Sequence, residues 1–173
     1  MYSLILIFTL TFIISCSGRS VNDDVIFKIG NKNYFVSLTK TNFFAARDSC
    51  IQNNGDLATF GSNSDLDDVL NYFNNKEKLN GETQFWTSYF DLGRAKGLFY
   101  SIATGTPLTT FGWLEGQPNN WHNDEHCVNI WSQNGKYGLN DAGCMETFRA
   151  LCEKTPQWEL QPYIPIFYAL KPV

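Results

Sequence analysis

Four cysteines, Cys50, Cys127, Cys144 and Cys152, constrain this chain more than any other feature. Disulfides persist in oxidising compartments, and four cysteines allow three pairings. Cys127 and Cys144 bracket Asn140-Asp141 and could close a loop of about 18 residues, worth roughly 3 kcal/mol on the chain-entropy account. A fifth cysteine, Cys16, stands apart at the end of an apolar N-terminal stretch.

That stretch bears on the compartment. Residues 1–18 read as a secretory signal peptide: Leu4 to Ile14 is almost uninterrupted apolar sequence, followed by Ser15, Cys16, Ser17 and Gly18. The run is about 11 residues, short of the roughly 20 that span a bilayer, so no membrane span is expected. No Lys or Arg precedes it. A buried strand or helix is the bland alternative, but nothing upstream would cover it. A lipid-modified Cys16 is a further reading that a bacterial origin would favour. The expected location is secreted and extracellular.

The 173 residues suffice for one domain with a real core. At 43% apolar and 16% aromatic the chain is globular rather than disordered. A net charge of −4 with no basic patch argues against nucleic acid as a partner. No Asn-x-Ser/Thr sequon occurs, so no N-linked glycan is expected.

The periodicity predicts a hairpin over Val25–Leu38, turning at Asn31-Lys32-Asn33, with Tyr34–Leu38 as second strand. Thr41 or Asn42 can cap a helix to about Asn54, with Phe43, Ala46, Cys50 and Ile51 inward and Gly55 ending it. A second helix is expected over Ser62–Phe73. Ser62 and Asp65 form a capping pair there, and Leu66, Val69, Leu70 and Phe73 face inward. Asp65, Asp67 and Asp68 crowd its first turn, where acids are stabilising without any metal. Phe85–Phe90 reads as a strand, and periodicity fades from Asp91 to Gly112. Asn134-Gly135 marks a hairpin whose second strand carries Asn140 and Asp141, and Phe148–Glu153 reads as a closing strand.

Chemistry concentrates between Gln117 and Asp141. Gln117, Asn119, Glu125, Asn140 and Asp141 place five oxygen-bearing side chains within about 25 residues, a mixture that suits Ca²⁺ with its roughly 6–8 oxygen ligands. A cis bond before Pro118 would aim Gln117 and Asn119 at one point. A polar surface loop with a turn proline is the plainer reading. His122 and His126 lie four apart around Glu125, but Glu does not directly follow the first His, as a zinc protease needs, and the asparagines disfavour a helix. With no nucleophile beside a base and no Gly-rich phosphate loop, no enzyme is expected.

From Phe43 to Glu153 the chain resembles a C-type lectin-like domain. The matching residues are Phe43, Ala46 and Cys50; Phe85-Trp86-Thr87-Ser88; Gly112-Trp113; Gly116-Gln117-Pro118-Asn119-Asn120-Trp121; Glu125-x-Cys127; Leu139-Asn140-Asp141-x-x-Cys144; and Leu151-Cys152-Glu153. Leu139, where many members carry tryptophan, is in the style of insect secreted members. The resemblance implies an α+β fold over residues 25–154, with two helices flanking small antiparallel sheets and a long irregular ligand-binding loop region. It implies nested disulfides, Cys50–Cys152 and Cys127–Cys144. Residues 155–173 form a Pro- and aromatic-rich tail beyond the match, either a flap on its own domain or an oligomer contact.

The resemblance also implies one primary Ca²⁺ held by Gln117, Asn119, Glu125, Asn140 and Asp141, with sugar hydroxyls bound by the ion and by the same side chains. Glu-Pro-Asn goes with mannose-type sugars in the family and Gln-Pro-Asp with galactose-type. Gln117-Pro118-Asn119 takes half of each. Only Glu125 and Asp141 are acids, so the ligand charge is one unit short of either pattern and weaker calcium binding is expected. Trp121 stands where galactose-type members place a stacking ring, without their Gly-rich insert, and the lean is to galactose. An auxiliary calcium site is expected to be lost, with Leu92 and Lys96 at acid positions and Asn120 replacing an acid. Partners would be glycans on cell surfaces or glycoproteins, bound near millimolar and helped by clustering or a homo-oligomer. Innate immunity or reproduction would be typical. The alternative is a protein-binding domain that has lost calcium and sugar.

Overall fold

The computed structural model describes residues 27–75, 83–109 and 111–155. The expected leader, residues 1–18, and the expected tail after Thr155 therefore lie outside the described residues. Strands β1 (Phe27–Ile29) and β2 (Lys32–Val36) form the first hairpin. Its turn sits one step earlier than the sequence suggests. Gly30 takes the left-handed corner at φ 57°, so Lys32 and Asn33 already pair with Ile29 and Lys28.

Helix α1 spans Phe43–Gln52, and the Asn42 side-chain oxygen caps it by accepting the Ala45 N–H at 3.0 Å. Phe43, Ala46 and Cys50 are buried, but Ile51 is 50% exposed and does not belong to the inner face. Gly55 is not the helix stop. Asn54 makes the turn at φ 57°, and Gly55 opens strand β3 (Gly55–Leu57), where a Cβ would meet the Glu153 carbonyl oxygen at 2.5 Å. Helix α2 spans Asn63–Asn75 with Leu66, Val69, Leu70 and Phe73 buried. The Ser62 hydroxyl accepts the Asp65 N–H, and the Asp65 carboxylate accepts the Gly61 N–H, which makes Ser62 and Asp65 a capping pair.

The remaining strands are β4 (Gln84–Phe90), β5 (Tyr100–Ser101), β6 (Cys127–Gln133), β7 (Lys136–Ala142) and β8 (Arg149–Lys154). They run in the order β1-β2-β8-β4-β6-β7, with β3 on β8 and β5 on β4. Every pairing is antiparallel except β4 with β8, which is parallel and joins the antiparallel pieces into one mixed sheet. Adjacent strand residues face opposite ways. Tyr34, Phe85 and Leu151 enter the core under α2, while Phe35, Trp86 and Cys152 enter the core under α1. The sheet is thus covered on both faces, which explains why β4 is buried along Phe85–Tyr89.

Both disulfides are the nested ones, Cys50–Cys152 and Cys127–Cys144. The first ties α1 to β8. The second ties the start of β6 to the turn after β7. The Asn134-Gly135 turn joins β6 to β7 as expected, with φ 53° and 80°.

Between β4 and β6 the chain makes a long excursion that returns to the sheet only at β5, and Leu139 moors it. The Leu139 N–H donates to the Gly112 carbonyl at 2.7 Å, and the Leu114 N–H donates to the Leu139 carbonyl at 2.9 Å. The Leu139 side chain is fully buried.

Two stability changes follow, both readable by urea denaturation. Replacing Cys50 and Cys152 by Ser should cost more than replacing Cys127 and Cys144, because the loop is 102 residues against 17, or about 4–5 against about 3 kcal/mol. Leu139→Ala should cost about 2–5 kcal/mol.

Candidate functional site

The site is assembled on the end of β7. Asn140 and Asp141 lie opposite Asn129 and Val128 of β6. Asp141 is 1% exposed. One of its carboxylate oxygens accepts the Asn119 N–H at 2.9 Å and the other accepts the Asn120 N–H at 2.7 Å. The Gln117–Pro118 bond is cis. Beyond it the chain folds through a single 3₁₀ turn, Trp121–Asn123. Glu125 closes this turn twice over. Its carboxylate accepts the Trp121 N–H at 2.7 Å, and its own N–H donates to the Asn120 side-chain oxygen at 3.1 Å. Asn120, His122 and Asn123 all have positive φ, a region where asparagine and histidine are over-represented.

Asn119, Glu125 and Asp141 line one cavity of about 430 Å³, together with Asp91, Lys96 and Phe99. Gln117 and Asn140 stand beside it without lining it. Gln117 Oε1 is buried and has no hydrogen-bond partner among the described residues. Asn140 Nδ2 donates to the Asp141 carbonyl at 2.6 Å and to Asn129 Oδ1 at 3.0 Å. A backbone carbonyl only accepts, so this contact fixes which end of the Asn140 amide is nitrogen. Asn140 Oδ1 is then the acceptor end of the amide, and the two hydrogen bonds described here are both made by Nδ2. Asn129 passes the orientation on, donating to Gln84 Oε1 at 3.0 Å. Sequence reasoning missed Asn129. The available signal was a lone amide within the apolar strand Cys127-Val128-Asn129-Ile130, paired across the hairpin with Asn140.

Burial raises the Glu125 carboxyl above the usual carboxylate range; the Trp121 N–H pulls it down, Asp141 and Glu146 push it up, and His122 pulls it down. An acid that resists ionising beside a second carboxylate is a place where a cation would be stabilising.

Lys96 lines the cavity, but Leu92 is 40% exposed and does not. The neighbouring acid Asp91 does line it, and it is 3% exposed. Its carboxylate meets His126 Nδ1 at 2.8 Å and accepts the Gly97 N–H at 2.7 Å. His126 is thus engaged on Asp91, while His122 sits on the 3₁₀ turn at φ 56°. The two imidazoles share no helical face. Trp121 is 65% exposed and lies edge-on to His122 at 5.0 Å, outside the cavity lining. A larger hollow of about 640 Å³ between α2 and the β6–β7 turn holds none of the expected site residues. Among the described residues no helix is long and apolar enough to cross a membrane.

Known proteins share this architecture. Residues 39–154 match the Lectin C-type domain family. C-type lectin 37Db of Drosophila melanogaster is 32% identical over 126 residues, covering 73% of this chain and 79% of that protein. Salivary C-type lectin 2 of Aedes albopictus is 29% identical over 155 residues, covering 87% and 97%. Among solved structures, the murine dendritic cell inhibitory receptor 2 lectin domain in complex with N-glycan superposes with a TM-score of 0.62 at 20% identity, covering 76% of this chain and 96% of that one. The mouse scavenger receptor C-type lectin carbohydrate-recognition domain gives 0.61 at 23% identity, covering 75% and 94%. The long match over α1, the sheet and the loop region, with both disulfides in place, makes this chain a member of the C-type lectin domain family.

Proposed function

We propose that this protein is a secreted lectin that binds carbohydrate through one Ca²⁺ held by Gln117, Asn119, Glu125, Asn140 and Asp141. The observation that carries the reading is Gln117 Oε1, a buried acceptor with no donor among the described residues. An unmet buried acceptor costs about 1–3 kcal/mol, and a cation answers it. The donor set fits: three amide oxygens and two carboxylates are hard ligands suited to Ca²⁺. Five side chains fall short of a full calcium shell, which leaves positions for sugar hydroxyls. With only two acids, calcium affinity is lower than in members with three. The exposed Trp121 ring supports stacking on the apolar face of a sugar, and with it the lean to galactose over mannose. The two disulfides support an oxidising, extracellular location. The salivary relative and the N-glycan complex of a similar fold support a glycan as partner.

The test is retention of the disulfide-intact protein on galactose and mannose resins. Calcium should retain it, preferentially on galactose. EDTA should release it, and Glu125→Ala should abolish retention. A folded protein that ignored both resins at millimolar calcium would favour the protein-binding alternative. A second expectation concerns Asn129. Its loss removes one of the two hydrogen bonds that hold the Asn140 amide, and loss of a group that orients a metal ligand typically weakens affinity about 10–100-fold. Calcium titration calorimetry of Asn129→Ala should show that drop. The melting temperature of the calcium-free variant separates it from general destabilisation.

A further inference from the structure

We propose that the hollow between α2 and the β6–β7 turn is a second, calcium-independent saccharide site, which takes a neutral sugar chain on the exposed ring of Phe111. The proposal goes beyond the calcium reading and does not depend on it. The hollow has a volume of about 640 Å³ and shares no lining residue with the cavity of Asn119, Glu125 and Asp141. Its walls are tied together. The Tyr137 N–H donates to Asn74 Oδ1 of α2 at 2.8 Å, and the Phe111 N–H donates to Asn63 Oδ1 at 3.3 Å. From β7, the Leu139 N–H holds the Gly112 carbonyl at 2.7 Å. A Cβ at Gly112 would collide with Leu66, and one at Gly138 would meet Leu114 at 2.9 Å. Glycine at both places lets α2, residues 111–115 and β7 close tightly on one another.

The lining selects the ligand. Phe111 is 85% exposed, whereas the neighbouring rings are packed: Trp113 lies 5.4 Å from Phe99, and Tyr137 lies 5.4 Å from Phe73. Asn71, Gln133 and Asn134 line the same hollow, and their side chains make no hydrogen bond among the described residues. An amide both donates and accepts, as a sugar hydroxyl does, and an open ring suits the apolar face of a sugar. The charged groups of the lining are Asp67, Glu115 and Lys136, which leave it one charge negative and ill suited to an anion. Two carboxylates make no cation cage, and among the described residues no three His, Cys, Asp or Glu side chains gather to hold a metal. Amides and charges on the wall also make the hollow costly to fill with a purely apolar ligand, because they would lose water without gaining partners.

The experiment is an amide NMR titration of the disulfide-intact protein in EDTA, with mannotetraose, galactotetraose and cellotetraose in turn. At least one should shift the side-chain amides of Asn71 and Gln133 and the Gly138 N–H, and leave the Asn119 and Asp141 N–H groups unmoved. One open ring and a few amides place the dissociation constant near millimolar. Phe111→Ala should weaken this binding about two- to tenfold, the range of a single aromatic contact, and Phe111→Trp should preserve it. No shift with any of the three sugars at about 10 mM would overturn the proposal, as would shifts unaltered in Phe111→Ala. A synthetic peptide of residues 156–173 that moved the same resonances when the sugars did not would assign the hollow to the protein's own chain and overturn it too. Calcium is absent throughout, so failure here leaves the calcium-dependent lectin reading standing, and failure of that reading leaves this one standing.

Discussion

Strand β8 holds this molecule together. It pairs with β2, β3 and β4, and its Cys152 is bonded to Cys50 of α1, 102 residues away. Nearly the whole length of the domain is closed on itself at that strand. Closing so long a loop is entropically costly for an open chain, and the covalent bond removes much of that cost from folding. The parallel register of β4 on β8 then brings the middle of the chain into the same sheet. With this frame closed, the run from Asp91 to His126 can carry almost no regular structure and still be held in place.

That excursion is held by apolar anchors, Phe99 in the core with Leu108 and Trp113 against it, and by polar contacts. Backbone N–H groups that would otherwise be unpaired in an irregular loop are taken up by Asp141, Glu125 and Asp91. Under the function proposed here, two of these carboxylates have a double task, ordering the loop and receiving the ion. Leu139 works from beneath, joining Gly112 and Leu114 to β7 through backbone bonds that do not depend on its side chain. A tryptophan is therefore not needed to dock this loop, and its replacement leaves Asn140 and Asp141 on the strand.

Much of the fold was legible before any coordinates. The inner faces of both helices, the Asn42 and Ser62 caps and the Asn134-Gly135 hairpin follow from local spacing and from capping chemistry. The errors were local in kind. Gly55 looked like a helix stop, but the pressure on it comes from Glu153 at the far end of the sequence. Ile51 fits an apolar stripe by spacing and faces solvent, because the stripe is narrower than the pattern.

The sequence alone determined both helices, the two hairpins and the strands β4 and β8, the chemical type of the candidate ligands and, through its resemblance, the disulfide pairing. These depend on local spacing or on motifs read in order along the chain. The tertiary structure alone decided the orientation of Asn140 by Asn129 and Gln84, the engagement of His126 by Asp91, and the entry of Lys96 into the cavity with Glu125 and Asp141. Each joins residues 11 to 45 positions apart in the chain, or a loop to a strand, without any repeat to announce it. Hydrogen bonds between such residues form only after the sheet has set their distance, and no local pattern encodes that distance.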